Sequence, residues 1–313
     1  MAAETIAPRK AFGEALVELG GEFPELVALD ADVGSSTMSA LFQKAFPDRF
    51  YQIGIAEANM MGIAAGLALT GFTPFVSTFA VFASKRALDQ LSISIAYPKL
   101  NVKVNGSYGG IPTGRAGATH QAVEDIAIMR AMPNIKILAP ADGPETKLAV
   151  RLALETPGPV YLSTVRCEVP TLFGPGHTLA WGRAVQLHEG RDVALIACGM
   201  MTYKALAAAR LLAEEGIGAR VIHMPSIKPL DDDAVVRASR EIGRIVTVEN
   251  HSVIGGLGGA VAETLTACAP CRQTRLGFPD CFGESGDDET IFSKLGCNVE
   301  QIVAAAREIV KGE

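Results

Sequence analysis

Short apolar runs alternate with helical patterns along most of this chain. Runs of four or five mostly apolar residues predict buried strands, at residues 26–30, 75–78, 100–104, 135–138, 160–163, 193–197, 220–223 and 244–248. Apolar residues three and four apart predict helices between them, over residues 10–20, 57–71, 79–90, 124–130, 202–216, 231–243 and 255–268. Two more helices are expected from capping patterns at Asp142 with Glu145 and at Asn298 with Gln301.

This alternation predicts an α/β fold, with mostly parallel sheets flanked by helices. From Pro170 to Gly190 the pattern gives way to proline, glycine and polar residues. We therefore expect two domains, residues 1–178 and residues 179–313, each with its own mostly parallel sheet. A chain of 313 residues is long enough for two such cores.

The composition excludes several classes of protein. Apolar residues make up 49% of the chain and charged residues 20%, as in soluble globular proteins. A net charge of −6, without a Lys/Arg cluster, argues against nucleic-acid binding. The uncharged stretch from Ala58 to Ser84 is long enough to span a bilayer, but polar residues and the turn signal Gly71-Phe-Thr-Pro74 interrupt it. We expect no membrane segment.

The N-terminal stretch and the cysteines indicate the cytoplasm. Residues 1–10 contain no apolar core of a signal peptide. Six cysteines are scattered along the chain, and only Cys268 and Cys271 have a metal-like or redox-like spacing. Without a second pair or a nearby histidine, reduced thiols are the simpler interpretation. Whether these two cysteines interact stays open.

The stretch from Tyr51 to Gly71 predicts a short strand that runs into an Ala/Gly-rich helix ending at Gly71. This helix is apolar nearly all round, so we expect it to be buried. Its first residue is Glu57, with no basic residue within several positions. A buried carboxylate is costly unless something polar meets it. The alternative interpretation is a glutamate that compensates the helix dipole.

Two further segments are candidates for ligand contact. Phe79 and Phe82 share one face of a predicted helix with Arg86, although an aromatic pair at this spacing is commonly core. The glycine-rich loop at residues 106–121 lets the backbone approach a ligand, and it brings His120 to the start of a helix. The glycine run at residues 255–259 has neither the Lys-Ser/Thr of a P-loop nor the dinucleotide glycine order.

Several ordered motifs together resemble the transketolase family. They are Gly54-Ile-Ala-Glu57-Ala-Asn59-Met, Phe75-Val-Ser-Thr-Phe79-Ala-Val-Phe82, Thr119-His120-Gln121, Arg166 and Phe282-Gly-Glu-Ser-Gly286. The chain is similar over nearly its whole length to the C-terminal half of that family, a pyrimidine-binding domain followed by a transketolase C-terminal domain. In split transketolases this half is a separate subunit.

The resemblance implies thiamine diphosphate as the cofactor. In this family a glutamate hydrogen-bonds N1′ of the aminopyrimidine and thereby promotes loss of the thiazolium C2 proton. Glu57 would have this role, and the apolar start of its helix would favour the protonated carboxyl group that it needs. Phe79 and Phe82 would flank the aminopyrimidine ring. His120 would lie near the reacting carbons and move protons, unless it only caps the following helix.

The resemblance also implies a substrate site. Arg9, Ser36 and Arg166 correspond to positions that hold the sugar phosphate in transketolases, and arginines suit phosphate because they bond it through charged donors. Each arginine alone could equally be a solvated surface residue. In the loop, Tyr108 stands where transketolases commonly have histidine, and Arg115 and Ala116 replace an acidic pair. We therefore expect ketol transfer with a substrate preference different from the standard pentose phosphates.

One motif of the family is missing. Thiamine diphosphate also needs Mg²⁺, which the family holds with a Gly-Asp-Gly…Asn motif in its other half. Here Gly286-Asp287-Asp288 is followed too soon by Asn298. We expect no metal site in this chain, and a partner subunit that supplies the N-terminal half, holds Mg²⁺ and the diphosphate, and forms an α2β2 heterotetramer with it.

The function expected from the resemblance is that of the β subunit of a split transketolase. It would transfer a two-carbon ketol unit from a ketose to an aldose, both phosphorylated or otherwise anionic. The alternatives are the E1β subunit of a 2-oxoacid dehydrogenase, a 1-deoxyxylulose-phosphate-synthase-like enzyme, or a non-catalytic partner subunit. Glu57 and the intact Thr119-His120-Gln121 argue against the last of these.

Overall fold

A computed structural model describes residues 4–312. Residues 1–3, part of the N-terminal stretch that suggested the cytoplasm, lie outside the described residues. The strands are β1 (Thr5–Ile6), β2 (Leu26–Asp30), β3 (Phe50–Gln52), β4 (Thr73–Phe79), β5 (Lys103–Ser107), β6 (Lys136–Leu138), β7 (Val160–Thr164), β8 (Val169–Pro170), β9 (Val185–His188), β10 (Val193–Ala197), β11 (Ala219–His223), β12 (Ser226–Lys228), β13 (Arg244–Ser252) and β14 (Arg272–Phe278). The helices are α1 (Pro8–Gly20), α2 (Gly34–Thr37), α3 (Ala40–Ala45), α4 (Glu57–Leu69), α5 (Ala80–Ser84), α6 (Leu88–Gln90), α7 (Asp125–Ala131), α8 (Gly143–Glu155), α9 (Met201–Glu214), α10 (Asp232–Ile242), α11 (Leu257–Cys268), α12 (Asp288–Lys294) and α13 (Val299–Lys311).

The strands form two main sheets, both dominated by parallel pairs. The first has the order β12-β6-β7-β5-β4-β2-β3, and the second has the order β14-β13-β10-β11-β9. Within these two sheets the edge strands β12 and β9 pair antiparallel with their neighbours, and β1 and β8 form a separate antiparallel pair. The predicted α/β fold with mostly parallel, helix-flanked sheets is confirmed.

The first sheet is covered on both faces, which explains why its strands are continuous apolar runs. Phe12 and Leu16 of α1 and Ala149 of α8 pack on one face with Phe75 and Leu162. The other face packs against α4 and α7. Strand β12 comes from the second half of the chain but extends the sheet of the first half through β6.

Helix α4 differs from its prediction. Glu57, Met60, Met61, Ala64 and Ala65 are buried, as expected. One face is exposed, however, and it comprises Asn59, Gly62, Gly66 and Leu69. A helix that is apolar all round can be buried only where every face meets another element. Within the described residues nothing lies within 4 Å of a Cβ added at Gly62 or Gly66.

The prediction of a single helix over residues 79–90 is also wrong. Phe79 is the last residue of β4, and the chain then forms α5, an irregular link at residues 85–87, α6 and a π-helical turn over Leu91–Ala96. The strand period and the helix period overlap at Phe79, so the boundary could not be read from apolar spacing alone. As a result Phe79, Phe82 and Arg86 do not lie on one regular helix.

Both predicted helix starts occur, but their caps differ. Asn298 and Gln301 form the complete capping box of α13. At α8, Asp142 Oδ1 accepts a hydrogen bond from Glu145 N at 2.8 Å, but Glu145 does not bond back to Asp142. Its Oε2 accepts instead from Ala141 N, at 2.7 Å.

The carboxylate of Glu145 joins the two halves of the chain. His223 Nε2, at the end of β11, lies 2.8 Å from Glu145 Oε2, and His177 Nε2 lies 3.0 Å from Oε1. His223 and Glu145 are fully buried. Burial opposes ionisation, but the attraction of His223 and the hydrogen bonds from both histidines outweigh it and lower the pKa of Glu145 to about 2.

This carboxylate should make stability depend on pH. Because its folded pKa lies below the ordinary value of 4.5, its contribution is complete above pH 4.5 and is lost as the pH falls towards 2. The full shift corresponds to about 3 kcal/mol. We expect Glu145→Gln to remove this part of the free energy of unfolding at pH 7 and to flatten its acid dependence, measured by urea denaturation at several pH values.

The matched control is Glu155→Gln, at the exposed opposite end of α8. It should leave both the stability and its pH dependence nearly unchanged. Equal acid slopes for the wild type and Glu145→Gln would contradict the role given to Glu145.

Candidate active site

The residues predicted to bind ligands collect where parallel strands of the first sheet end. Phe79 ends β4, Tyr108 directly follows β5, and Arg166 lies just after β7. These three strands are neighbours in the sheet. The carboxyl edge of a parallel sheet is the usual place for a ligand, because loops from several strands meet there.

Glu57 lies at the first position of α4 and is 4% exposed. Its Oε1 accepts a hydrogen bond from Arg86 Nη1 at 3.1 Å. The absence of a nearby cation, which the local sequence suggested, is therefore wrong in three dimensions. Arg86 is separated from Glu57 by 29 positions and reaches it because the irregular link after α5 passes the start of α4.

Three aromatic rings, those of Tyr108, Phe82 and His120, surround Phe79. The ring of Tyr108 stacks on Phe79 with centroids 4.3 Å apart, and the ring of Phe82 lies 5.7 Å away and tilted. His120 meets Phe79 and Phe82 edge to face, at 5.8 and 5.5 Å. The structure thus brings together both predicted phenylalanines and the predicted histidine, and each ring is held by the others.

Arg86 also contacts this cluster. Its guanidinium carbon lies 4.0 Å from the centre of the Phe82 ring, so the planar cation stacks on Phe82 while it bonds Glu57. A cavity of about 360 Å³ opens beside these groups. It is lined by Val81, Phe82, Lys85, Arg86, Ala118, Thr119 and Phe282.

His120 has a defined orientation. Its Nδ1 lies 2.9 Å from Thr119 Oγ1. The neighbouring Gln121 is buried, and its Nε2 donates to Glu284 O at 3.0 Å. The glycine-rich segment Phe282–Gly286 packs on this turn so closely that a Cβ at Gly283 would overlap Gln121 Oε1. The two distant motifs are therefore parts of one surface.

Arg9 and Ser36 lie on the other side of Tyr108. Arg9 Nη1 donates to the hydroxyl of Tyr108 at 3.1 Å and to the backbone carbonyl of Ser36 at 2.9 Å. Tyr108 has a φ of 62°, a left-handed conformation that a tyrosine adopts only when its surroundings hold it there. Arg9, Ser36 and Tyr108 are thus brought together, with Ser36 contributing its carbonyl to the contact with Arg9.

Arg115 and Arg166 line a second cavity, of about 570 Å³. Arg166 is half-buried with its guanidinium carbon 6.0 Å from the Tyr108 ring, whereas Arg115 is exposed. The remaining lining comes from Gly114, Gly286, Asp287 and Asp288. Gly114 N donates to Asp288 Oδ1 at 3.1 Å. Burial raises the pKa of Asp288, and the contacts with Gly114 N and Arg166 oppose that rise.

The sequence alone did not identify two residues of this region. Arg86 was noted only for the face it shared with the phenylalanines. Asn250, in the last part of β13, bonds the loop after β5 from the other half of the chain. No local signal marks either contact, because each joins segments that are far apart in sequence.

The described part of the chain, residues 4–312, has neither a metal-binding cluster of three His, Cys, Asp or Glu side chains nor a helix long and apolar enough to cross a membrane. Cys268 and Cys271 are free thiols, the first exposed and the second half-buried.

Comparison with known proteins agrees with this arrangement. The transketolase pyrimidine-binding domain matches residues 4–171, and the transketolase C-terminal domain matches residues 182–302. The chain belongs to the transketolase family. The resemblance inferred from the motifs is confirmed.

The related proteins include subunits of similar length. A 6-deoxy-6-sulfo-D-fructose transketolase subunit from Clostridium is 40% identical over 97% of this chain and 94% of its own. An apulose-4-phosphate transketolase subunit from Phocaeicola vulgatus is 40% identical over 99% of this chain and 100% of its own. A solved structure described as an inactive β4 tetramer of a split-gene transketolase is 48% identical, covers 98% of this chain and 99% of its own, and has a TM-score of 0.92.

Proposed function

We propose that this chain is the β subunit of a split, thiamine-diphosphate-dependent transketolase. It would transfer a two-carbon ketol unit from a ketose to an aldose. The observation that supports this most directly is the buried carboxyl group of Glu57, which Arg86 links to the face of Phe82, in a family of transketolases. The Phe79/Phe82 pair and His120 complete a site with one carboxyl group, two aromatic faces and one proton carrier.

The residues of this chain fit the aminopyrimidine end of the cofactor. Arg86 makes the two contacts that we assign to the aminopyrimidine ring. Its planar guanidinium group is hydrogen-bonded to Glu57 and stacked on Phe82. We assign Mg²⁺ and the diphosphate to a partner subunit, because Gly286-Asp287-Asp288 with Asn298 does not match the spacing of the family's metal motif. When bound, the cofactor would supply a nucleophilic carbon for the ketose carbonyl.

In this proposal the protein's own groups handle protons and orientation. Glu57 holds a proton towards the aminopyrimidine nitrogen. His120, with Nδ1 held by Thr119, presents Nε2 to a substrate hydroxyl and moves a proton there. Phe79 and Phe82 keep water away from the reacting groups.

A partner subunit would cover exposed apolar residues along α4 and the turn packed on it. Ile55 and Leu69, at the two ends of α4, are 75% and 74% exposed. Ile93 lies in the π-helical turn that packs on α4, and Tyr97 directly follows that turn. They are 61% and 79% exposed. Large exposed apolar side chains on neighbouring elements are typical of protein interfaces. We propose that the N-terminal-half subunit of a transketolase binds here in an α2β2 heterotetramer, with the cofactor at the α–β interface.

The substrates are proposed to be anionic sugars. Arg9 and Arg166 flank Tyr108, and Arg115 adds a third guanidinium at the outer cavity. The names of two relatives refer to a sulfonated and a phosphorylated sugar, both of which carry an anionic group. We further propose a domain boundary at residues 178/179 and a cytoplasmic location, which the six free cysteines support.

Glu57→Gln tests the catalytic role of the carboxyl group. Glutamine keeps the size of the side chain but cannot exchange a proton, so kcat of the assembled enzyme should fall by about 10²- to 10⁴-fold. Thiamine diphosphate binding, followed by calorimetry, should persist. The control is Glu124→Gln, the same chemical change in the carboxylate that pairs with Lys85, which should change kcat by less than about twofold. Full turnover by Glu57→Gln would contradict the proposal.

Arg86→Ala tests whether the guanidinium competes with the aminopyrimidine. Its half-exposed ion pair and its stacking contact together contribute about 1–2 kcal/mol. If both must break on cofactor binding, the variant should bind thiamine diphosphate roughly 5- to 30-fold more tightly, measured by calorimetry on the assembled enzyme. Lys85→Ala removes the neighbouring positive charge as a control and should have little effect. Weaker binding by Arg86→Ala would show that the arginine supports the cofactor.

Arg115→Glu tests the anionic substrate. Loss of one charged hydrogen bond costs about 1.5–3 kcal/mol, so KM for a phosphorylated ketose should rise at least tenfold. KM for an uncharged ketose should stay nearly constant. Arg210→Glu, on the exposed surface of α9, makes the same charge change away from the site and controls for net charge. An equal loss for charged and uncharged ketoses would contradict this assignment.

A further inference from the structure

The last residues of β13 cross from the second half of the chain to the candidate active site. Ser252 N donates to Val123 O at 2.7 Å, and His251 Nε2 accepts from Ala127 N at 3.2 Å. Asn250 reaches the loop that carries Tyr108. These contacts attach the carboxyl end of one sheet to the loop at the carboxyl end of the other.

Asn250 binds this loop through both ends of its amide. Its Nδ2 donates to Gly109 O at 3.0 Å, and its Oδ1 accepts from Ile111 N at 3.2 Å. The residue between them, Gly110, has a φ of +72°, and a Cβ there would overlap the Asn250 amide. The amide therefore fits against a backbone that only glycine permits.

The same short segment determines where Tyr108 lies. Gly109 directly follows Tyr108, whose left-handed backbone has to be held by its surroundings. Gly109 N donates to Thr164 O at 3.0 Å, so strand β7 holds one side of the turn while Asn250 holds the other. The result is a ring that stacks on Phe79 and a hydroxyl within reach of Arg9.

The segment is also linked to His120. Gly110 and Ala122 exchange two backbone hydrogen bonds, of 2.9 and 3.1 Å. Ala122 lies two residues after His120, so a shift of Gly110 moves the base of the histidine turn. Asn250 thus binds the loop at the point where the turn after Tyr108 is hydrogen-bonded to the segment after His120.

We propose that Asn250 is a positioning residue of the active site, which sets Tyr108 and His120 from the C-terminal half of the chain. This role rests on the proposed ketol transfer. It gives the second half a part in substrate recognition through hydrogen bonds to backbone atoms. No contact of Asn250 with the substrate is required.

The test uses the enzyme assembled with its partner subunit. Asn250→Ala removes both hydrogen bonds, and we expect kcat/KM for the ketose to fall about 10- to 100-fold. Thiamine diphosphate should still bind, because Glu57, Phe79 and Phe82 all lie outside the loop. Asn250→Asp keeps the size and the acceptor for Ile111 N but places an oxygen against Gly109 O. It should lose nearly as much kcat/KM as the alanine variant.

Hydrogen exchange on the chain alone provides a readout that does not depend on turnover. In Asn250→Ala the amide of Ile111 should exchange faster, whereas in Asn250→Asp it should stay protected. Lys228→Met is the matched control, since Lys228 Nζ donates to Arg130 O and Met132 O, at 2.9 and 2.5 Å, also across the two halves. It should lower the melting temperature without changing the kinetic constants of the ketose reaction.

Kinetic constants of Asn250→Ala within twofold of the wild type would overturn the proposal, as would an equal kinetic loss in Lys228→Met. An Asn250→Asp variant with the kcat/KM of the wild type would also overturn it, because a side chain of the same size would then suffice without the hydrogen bond to Gly109 O. These outcomes are separate from a failure of the proposed function, which would appear as full turnover in Glu57→Gln.

Discussion

The hydrogen bonds between Asn250 and the turn at Gly109–Ile111 connect the two halves of this chain at the candidate active site. A glycine-rich loop has many accessible conformations, and a site built on it needs fixed points to be specific. The turn is fixed on one side by the end of β7 and on the other by the end of β13. Since Tyr108 and His120 both depend on this turn, the arrangement of the site depends on how the two sheets are placed.

Other buried polar contacts stabilise the same placement. Glu145 joins α8 to His223 of the second sheet, and Lys228 joins β12 to the end of α7. β12 also extends the first sheet through backbone hydrogen bonds. Buried polar groups are stable only with all partners present, so these contacts favour one relative position of the two halves. That position is the one in which segment 282–286 covers the His120 turn.

The environment of Glu57 fits the proposed binding of a planar ligand. The carboxyl group is buried at the start of α4 and is paired with Arg86, which also contacts the face of Phe82. A planar ligand that replaces Arg86 would meet a hydrogen-bonding group and an aromatic face in one place. In the proposed assembly, the partner subunit would bind over the exposed apolar residues Ile55 and Leu69 and supply the metal site for the diphosphate.

Much of the fold could be predicted from the sequence because its signals are local. The buried strands are apolar on both faces, and Asn298 with Gln301 forms a capping box within four residues. The predicted helices differ from the observed ones where local patterns overlap or where burial depends on residues distant in sequence. Phe79 continues a strand while matching a helical spacing, and the apolar α4 keeps one exposed face that no local pattern distinguishes from a buried one.

By itself the sequence determined the α/β class, the family, and the residue types of the candidate site, since Glu57, the phenylalanine pair and His120 lie in short motifs. Only the tertiary structure decided what these residues touch. Arg86 bonds Glu57, and Asn250 bonds the turn beside Tyr108. In both pairs the residues are too far apart in sequence for a periodic pattern to indicate the contact. The physical reason is that strand and helix periods act over a few residues, whereas a hydrogen bond in a folded protein depends on which strand ends meet at the same edge of a sheet.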